Sequence, residues 1–117
     1  MSDYLLIISH FPDRATAEKA AHLLIEEQLA ACVNILAECT SIYQWQGNTE
    51  TNQEVPLLIK TTRQKYAELE TFLQKCHPHH LPEIIALPIV AGLPAYLNWL
   101  AESCDTATPA SPPNTEE

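Results

Sequence analysis

The segment Val33–Thr61, VNILAECTSIYQWQGNTETNQEVPLLIKT, decides the fold. From Val33 to Gln46 the β-branched and aromatic content rises, with Ile35, Ile42, Tyr43 and Trp45 among the residues, as a strand requires. Gly47-Asn48 then supplies a two-residue turn signal, and a second long strand follows from about Thr49 to Thr61. Pro56 has no amide proton to give a sheet ladder, so its amide side faces an edge or the strand is bulged there. Each arm comes to about thirteen residues against the usual ~5–6, so the hairpin projects beyond a small sheet. Ile42, Tyr43 and Trp45 near its tip are costly to leave in water, which predicts that the arm is buried in a homo-oligomer.

Outward from the hairpin, the same elements recur on both sides. Tyr4 to His10 is a short apolar run without helical spacing, which suits a strand, and Phe11-Pro12 ends it. Asp13 can cap a helix running from about residue 14 to about residue 30, where Ala17, Ala20, Ala21, Leu24, Ile25 and Leu29 form one apolar stripe. His22 lies beside that stripe and reads as structural. After the hairpin, Thr62 can cap a second helix with Tyr66, Leu69, Phe72, Leu73 and Cys76 at spacings of three and four, and His77-Pro78 stops it. Ile84 to Val90 is another apolar strand, and Pro94 opens a short helix carrying Tyr96, Leu97, Trp99 and Leu100. Strand, helix, strand, then strand, helix, strand is the split βαβ order of an α+β, ferredoxin-like sandwich: an antiparallel sheet with two packed helices, a long central hairpin and a short C-terminal helix. The domain covers residues 1–104. Residues 105–117, rich in proline and acidic side chains, read as a disordered tail.

Composition narrows function by exclusion. Of 117 residues 46% are hydrophobic, enough for one core. The only glycines, Gly47 and Gly92, cannot write a phosphate cradle or a dinucleotide fingerprint. A formal net charge of −9 repels a phosphate backbone, so neither nucleic acid nor an anionic membrane is expected as a partner. Ile84 to Ala101 carries no charge, but Pro88, Gly92, Pro94 and Asn98 interrupt it as a membrane helix. Cys32, Cys39, Cys76 and Cys104 are irregularly spaced and read as reduced thiols, and no secretory n-region is present, so the expected address is the cytoplasm. There is no GxSxG, no HExxH and no carboxylate pair at acid–base spacing, so the chain does not read as an enzyme.

Five spaced motifs carry a family resemblance: Phe11-Pro12-Asp13, Leu29 to Asn34, Ser41 to Gly47, Lys60-Thr61-Thr62, and His77-Pro78 leading to Leu81-Pro82-Glu83-Ile84. Over about residues 4 to 104 the chain resembles the CutA family of divalent-cation tolerance proteins. The resemblance implies a homotrimer of ferredoxin-like subunits, related in architecture to PII-type signalling proteins, with the hairpins packed between subunits. It further implies copper held by a cysteine ending the first strand and two consecutive histidines before a proline. Position by position that cysteine falls on Ser9, and the pair falls on Cys76 and His77; His10, next to Ser9, is the nearby replacement.

Cys76, His77, His79 and His80 lie close together in the chain, and thiolate with imidazole suits copper, or zinc and other divalent cations less well. The same residues also read as a helix end, with Cys76 on the apolar stripe and the histidines near the negative end of the dipole. The metal ligands expected are Cys76, His77, His10 and His79. Cys32 reads as a small core hydrophobe. Lys60, Thr61 and Thr62 could face a small anion or simply cap, and Glu83 could pair with Lys60 or Arg63. Two functions follow: a trimeric, copper-preferring cation-binding protein of metal tolerance, or a PII-like signalling or scaffold module that takes a small ligand or an unnamed protein partner between subunits.

Overall fold

The computed structural model describes residues 2–105. Strand β1 (Tyr4–Phe11), helix α1 (Arg14–Glu26), strands β2 (Cys32–Ile35), β3 (Cys39–Trp45) and β4 (Asn48–Thr62), helix α2 (Tyr66–Cys76), strand β5 (Ile84–Pro88) and helix α3 (Pro94–Ser103) follow in order. The fold is α+β, with an antiparallel sheet in the order β2-β4-β1-β5 and β3 pairing β4 beyond it. The tail expected over 105–117 lies, apart from Asp105, outside the described residues.

Period-two alternation in β1 buries Leu5, Ile7, Ser9 and Phe11 on the face that carries the helices, and β4 adds Val55, Leu57 and Ile59. Ala17, Ala20 and Leu24 of α1 and Leu69 and Leu73 of α2 close this core. Leu6, Ile8 and His10 fall on the opposite face, which is only partly covered. Asp13 caps α1 as expected, its Oδ1 accepting from the Thr16 amide at 2.8 Å.

Several boundaries differ from the sequence reading, each for a local reason. Helix α1 stops at Glu26 because Gln28 adopts φ 56° and closes the end: its amide donates to the Ile25 carbonyl, and the Leu29 amide to the Leu24 carbonyl at 2.9 Å. Leu29 is therefore buried from outside the helix, while Ile25 is exposed. Thr62 makes no capping bond; a 3-10 turn over Arg63–Lys65 leads into α2 instead. The hairpin turn sits one residue earlier than Gly47-Asn48. Trp45 pairs with Asn48, and Gln46 (φ 51°) and Gly47 (φ 84°) are the two central residues.

The first arm is two strands rather than one. Ile35 pairs with Leu57 and Cys39 with Glu54, so Leu36, Ala37 and Glu38 face only Val55 and Pro56. The Leu36 amide donates to the Pro56 carbonyl at 3.0 Å, so the side of β4 where Pro56 lacks its proton faces this interruption. Pro56 thus sits at a bulge, one of the two outcomes its chemistry allows.

Candidate functional site at the base of the hairpin arm

The open face of β1 ends at His10, and sheet register determines its neighbours. His10 pairs with Pro56, which places Glu54 diagonally across on β4; Ser9 pairs with Ile84, which places Glu83, just before β5, beside His10. The His10 Nδ1 atom lies 3.1 Å from Glu54 Oε1 and 3.6 Å from Glu83 Oε1. These three residues, with Ser41, Tyr43, Trp45, His79 and His80, line a cleft of about 960 Å³ along the arm. Burial alone would raise the Glu54 carboxyl, but hydrogen bonds from Ser41 and His10, with the charges of His10 and His79, hold it below the ordinary carboxylate range.

His10, His77 and His79, three of the four expected ligands, lie in one neighbourhood, linked through main chain rather than as a grouped set of side chains. His77 is buried at 7% exposure, with its ring 4.4 Å from Phe11 and 5.1 Å from His79, centre to centre. Its Nε2 contacts the His10 carbonyl at 2.6 Å, and its Nδ1 accepts from the His79 amide at 3.0 Å. Cys76 does not join this group through any contact: its thiol reaches back 3.8 Å to the Leu73 carbonyl, packs against the core, and is pushed up in pKa by burial. The Cys76 side chain thus follows its helix stripe, while the His77 ring is held by main chain. Ser9, at the position the resemblance gives to a cysteine, is fully buried and its Oγ has no hydrogen-bond partner among the described residues. Among the described residues no three His, Cys, Asp or Glu side chains are grouped so as to hold a metal ion.

The remaining expectations resolve locally. Glu83 pairs with His10 rather than Lys60 or Arg63; Lys60 Nζ lies 5.9 Å over the Tyr96 ring, and Arg63 Nε donates to the Ser2 carbonyl. Thr61 Oγ1 is buried and donates to the Leu29 carbonyl at 2.7 Å, which leaves it structural. Cys32 is only half-buried, with its thiol near Asn34 Oδ1, and all four cysteines are free. His22 is exposed on α1. Sequence reasoning missed Glu54, because nothing near it in the chain announces His10, 44 residues away. The only available signal was Pro56, whose bulge marks where β4 passes the end of β1.

A profile of the CutA1 divalent ion tolerance protein family matches residues 5–103. The divalent-cation tolerance protein CutA of Thermus thermophilus is 44% identical over 98 residues, covering 84% of this chain and 95% of its own length. A CutA homolog of Xenopus laevis is 42% identical over 91 residues, and the match spans 78% of this chain but only 60% of that longer relative. The crystal structure of CutA from Xylella fastidiosa superposes with a TM-score of 0.86 at 45% identity, covering 89% of this chain and all of that one. By matched length, identity and superposition together, the chain belongs to the CutA1 divalent ion tolerance protein family.

Proposed function

We propose that the protein is a homotrimer of ferredoxin-like subunits that binds a divalent cation, copper foremost, in the cleft beside His10. It acts in metal tolerance as a binding protein rather than an enzyme, in a reducing compartment such as the cytoplasm, where its four free thiols persist. The observation that carries this proposal is the pair of separations around His10 Nδ1, 3.1 Å and 3.6 Å to two carboxylates. They bracket the about 3.3 Å expected between two donors of a tetrahedral ion with bonds near 2.0 Å. A cation entering between imidazole and carboxylate would replace the His10–Glu54 contact and draw a third donor closer, because no three such side chains are already grouped for it among the described residues. Imidazole with carboxylate suits copper(II) and zinc(II), and copper(II) is the stronger binder of the two at a site that does not select by geometry. His79, on the same cleft wall, supplies a second imidazole.

Trimer formation is supported by the apolar surface a lone subunit leaves wet. Ile42 is 68% and Val90 88% exposed, and Tyr43, Trp45, Ile85, Leu87 and Leu93 are exposed with them. A second function is favoured by the cleft itself. Its volume of about 960 Å³ is large for an ion alone and suits a small organic ligand in a PII-like signalling or scaffold module.

Calorimetric titration of the metal-free, reduced full chain with copper(II) and zinc(II), beside a copper(I) competition assay, separates the two. Saturable binding that is lost in His10→Ala and in Glu83→Gln sustains the cation function. Binding indifferent to both substitutions overturns it and leaves the cleft to an organic ligand.

A further inference from the structure

We infer that His77 is a positioning residue that holds the main chains of both cleft histidines, and that it is not itself a cation ligand. A neutral imidazole has one donor nitrogen and one acceptor nitrogen. The His79 main-chain amide can only donate, so Nδ1 of His77 is the acceptor; the His10 carbonyl can only accept, so Nε2 carries the proton. Main chain alone thus sets the tautomer, and no lone pair is left for a metal. One ring ties the end of β1, at His10, to the segment after α2, at His79, and both of those residues line the cleft. The ring is buried against Phe11 at 4.4 Å between ring centres, so packing as well as the two main-chain bonds fixes its place. Ligation through either nitrogen would break one of these bonds and release one wall of the site. The assignment rests on the proposed cation cleft for what is positioned, but not for the state of the ring.

The test uses the uniformly nitrogen-15-labelled, reduced full chain. Long-range proton–nitrogen correlation at neutral pH should show His77 as the Nε2–H tautomer, and zinc(II) should move the His10 and His79 ring signals while the His77 pattern persists. A Nδ1–H ring, or loss of the Nε2 proton on adding zinc, would overturn the assignment. In parallel, His77→Ala should weaken zinc binding about tenfold, in the range seen when a group that orients ligands is removed. His77→Gln should restore it, because the amide can still donate to the His10 carbonyl but is a poor zinc ligand. Equal loss in both variants, with native circular dichroism, would mark His77 as a ligand. If zinc binds even the wild type nowhere, the cleft proposal fails, and the tautomer alone then decides whether His77 holds the two main chains.

Discussion

Nδ1 of His10 stands 3.1 Å from Oε1 of Glu54, which ties the end of β1 to the base of the β3–β4 arm. Burial opposes the ionised Glu54 carboxylate, yet the hydrogen bonds from Ser41 and His10 win, so its pKa falls below the ordinary 4.5. A carboxylate with a lowered folded pKa adds stability above its unfolded pKa and loses it as the pH drops through the folded value. Glu54→Gln should therefore cost about 0.5–1 kcal/mol at neutral pH, given the partial exposure of the pair, and progressively less as the pH falls through the folded pKa of Glu54. Urea midpoints measured across the acid range check this; an equal cost at both ends would mean that shape rather than charge matters at Glu54.

Ser9 carries the opposite imbalance. Its hydroxyl is fully buried between Ile7 and Phe11 on β1 and has no partner among the described residues. An unmade hydrogen bond in the core costs about 1–3 kcal/mol, whereas a methyl group there costs only slightly looser packing. Ser9→Ala should stabilise the protein by about 1 kcal/mol, read as a higher urea midpoint at unchanged slope. A lower midpoint would show that the hydroxyl has a partner in solution, such as a buried water.

The tip of the arm isolates a backbone effect. Gly47 has φ 84°, and a Cβ added there would meet nothing within 4 Å. Gly47→Ala therefore carries no clash, only the penalty of a left-handed conformation, about 1 kcal/mol. Because the tip lies far from the core, the loss should appear locally, as about fivefold faster hydrogen exchange at the amides near Trp45 and Asn48. A global loss of stability instead would show that arm and core unfold together.

Most of the architecture was legible because it depends on local periodicity: the stripes of α1 and α2, the alternation in β1, the Asp13 cap and the Pro94 start of α3. The errors came where a single residue makes an atypical choice. Gln28 takes a left-handed φ that glycine usually signals, so α1 ends earlier than its apolar stripe suggests. Gln46 does the same in the turn and shifts it by one position. At the site, His77 and His79 were visible as candidates from residue type, and His10 from its place beside Ser9 in the family resemblance. Their roles were not, because these depend on register between strands distant in sequence and on which ring nitrogen meets main chain.

Ile42 offers the sharpest test of assembly. The molecule measures 50 × 32 × 23 Å, an elongated outline, and the arm carries Ile42, Tyr43 and Trp45 in the open. Full burial of an isoleucine side chain is worth about 1.5–3 kcal/mol, and in a symmetric trimer each substitution acts at three equivalent contacts. Replacing Ile42 with lysine removes that gain and adds the cost of burying a charge, while leaving the intrasubunit core untouched. The wild type should sediment as a trimer at micromolar concentration, and Ile42→Lys should dissociate with its circular dichroism preserved. Trp45 emission should shift to the red in parallel, since the same contact would dry its indole. A wild type that sediments as a monomer would leave the exposed arm for a different protein partner, and Ile42→Lys would then change neither mass nor emission.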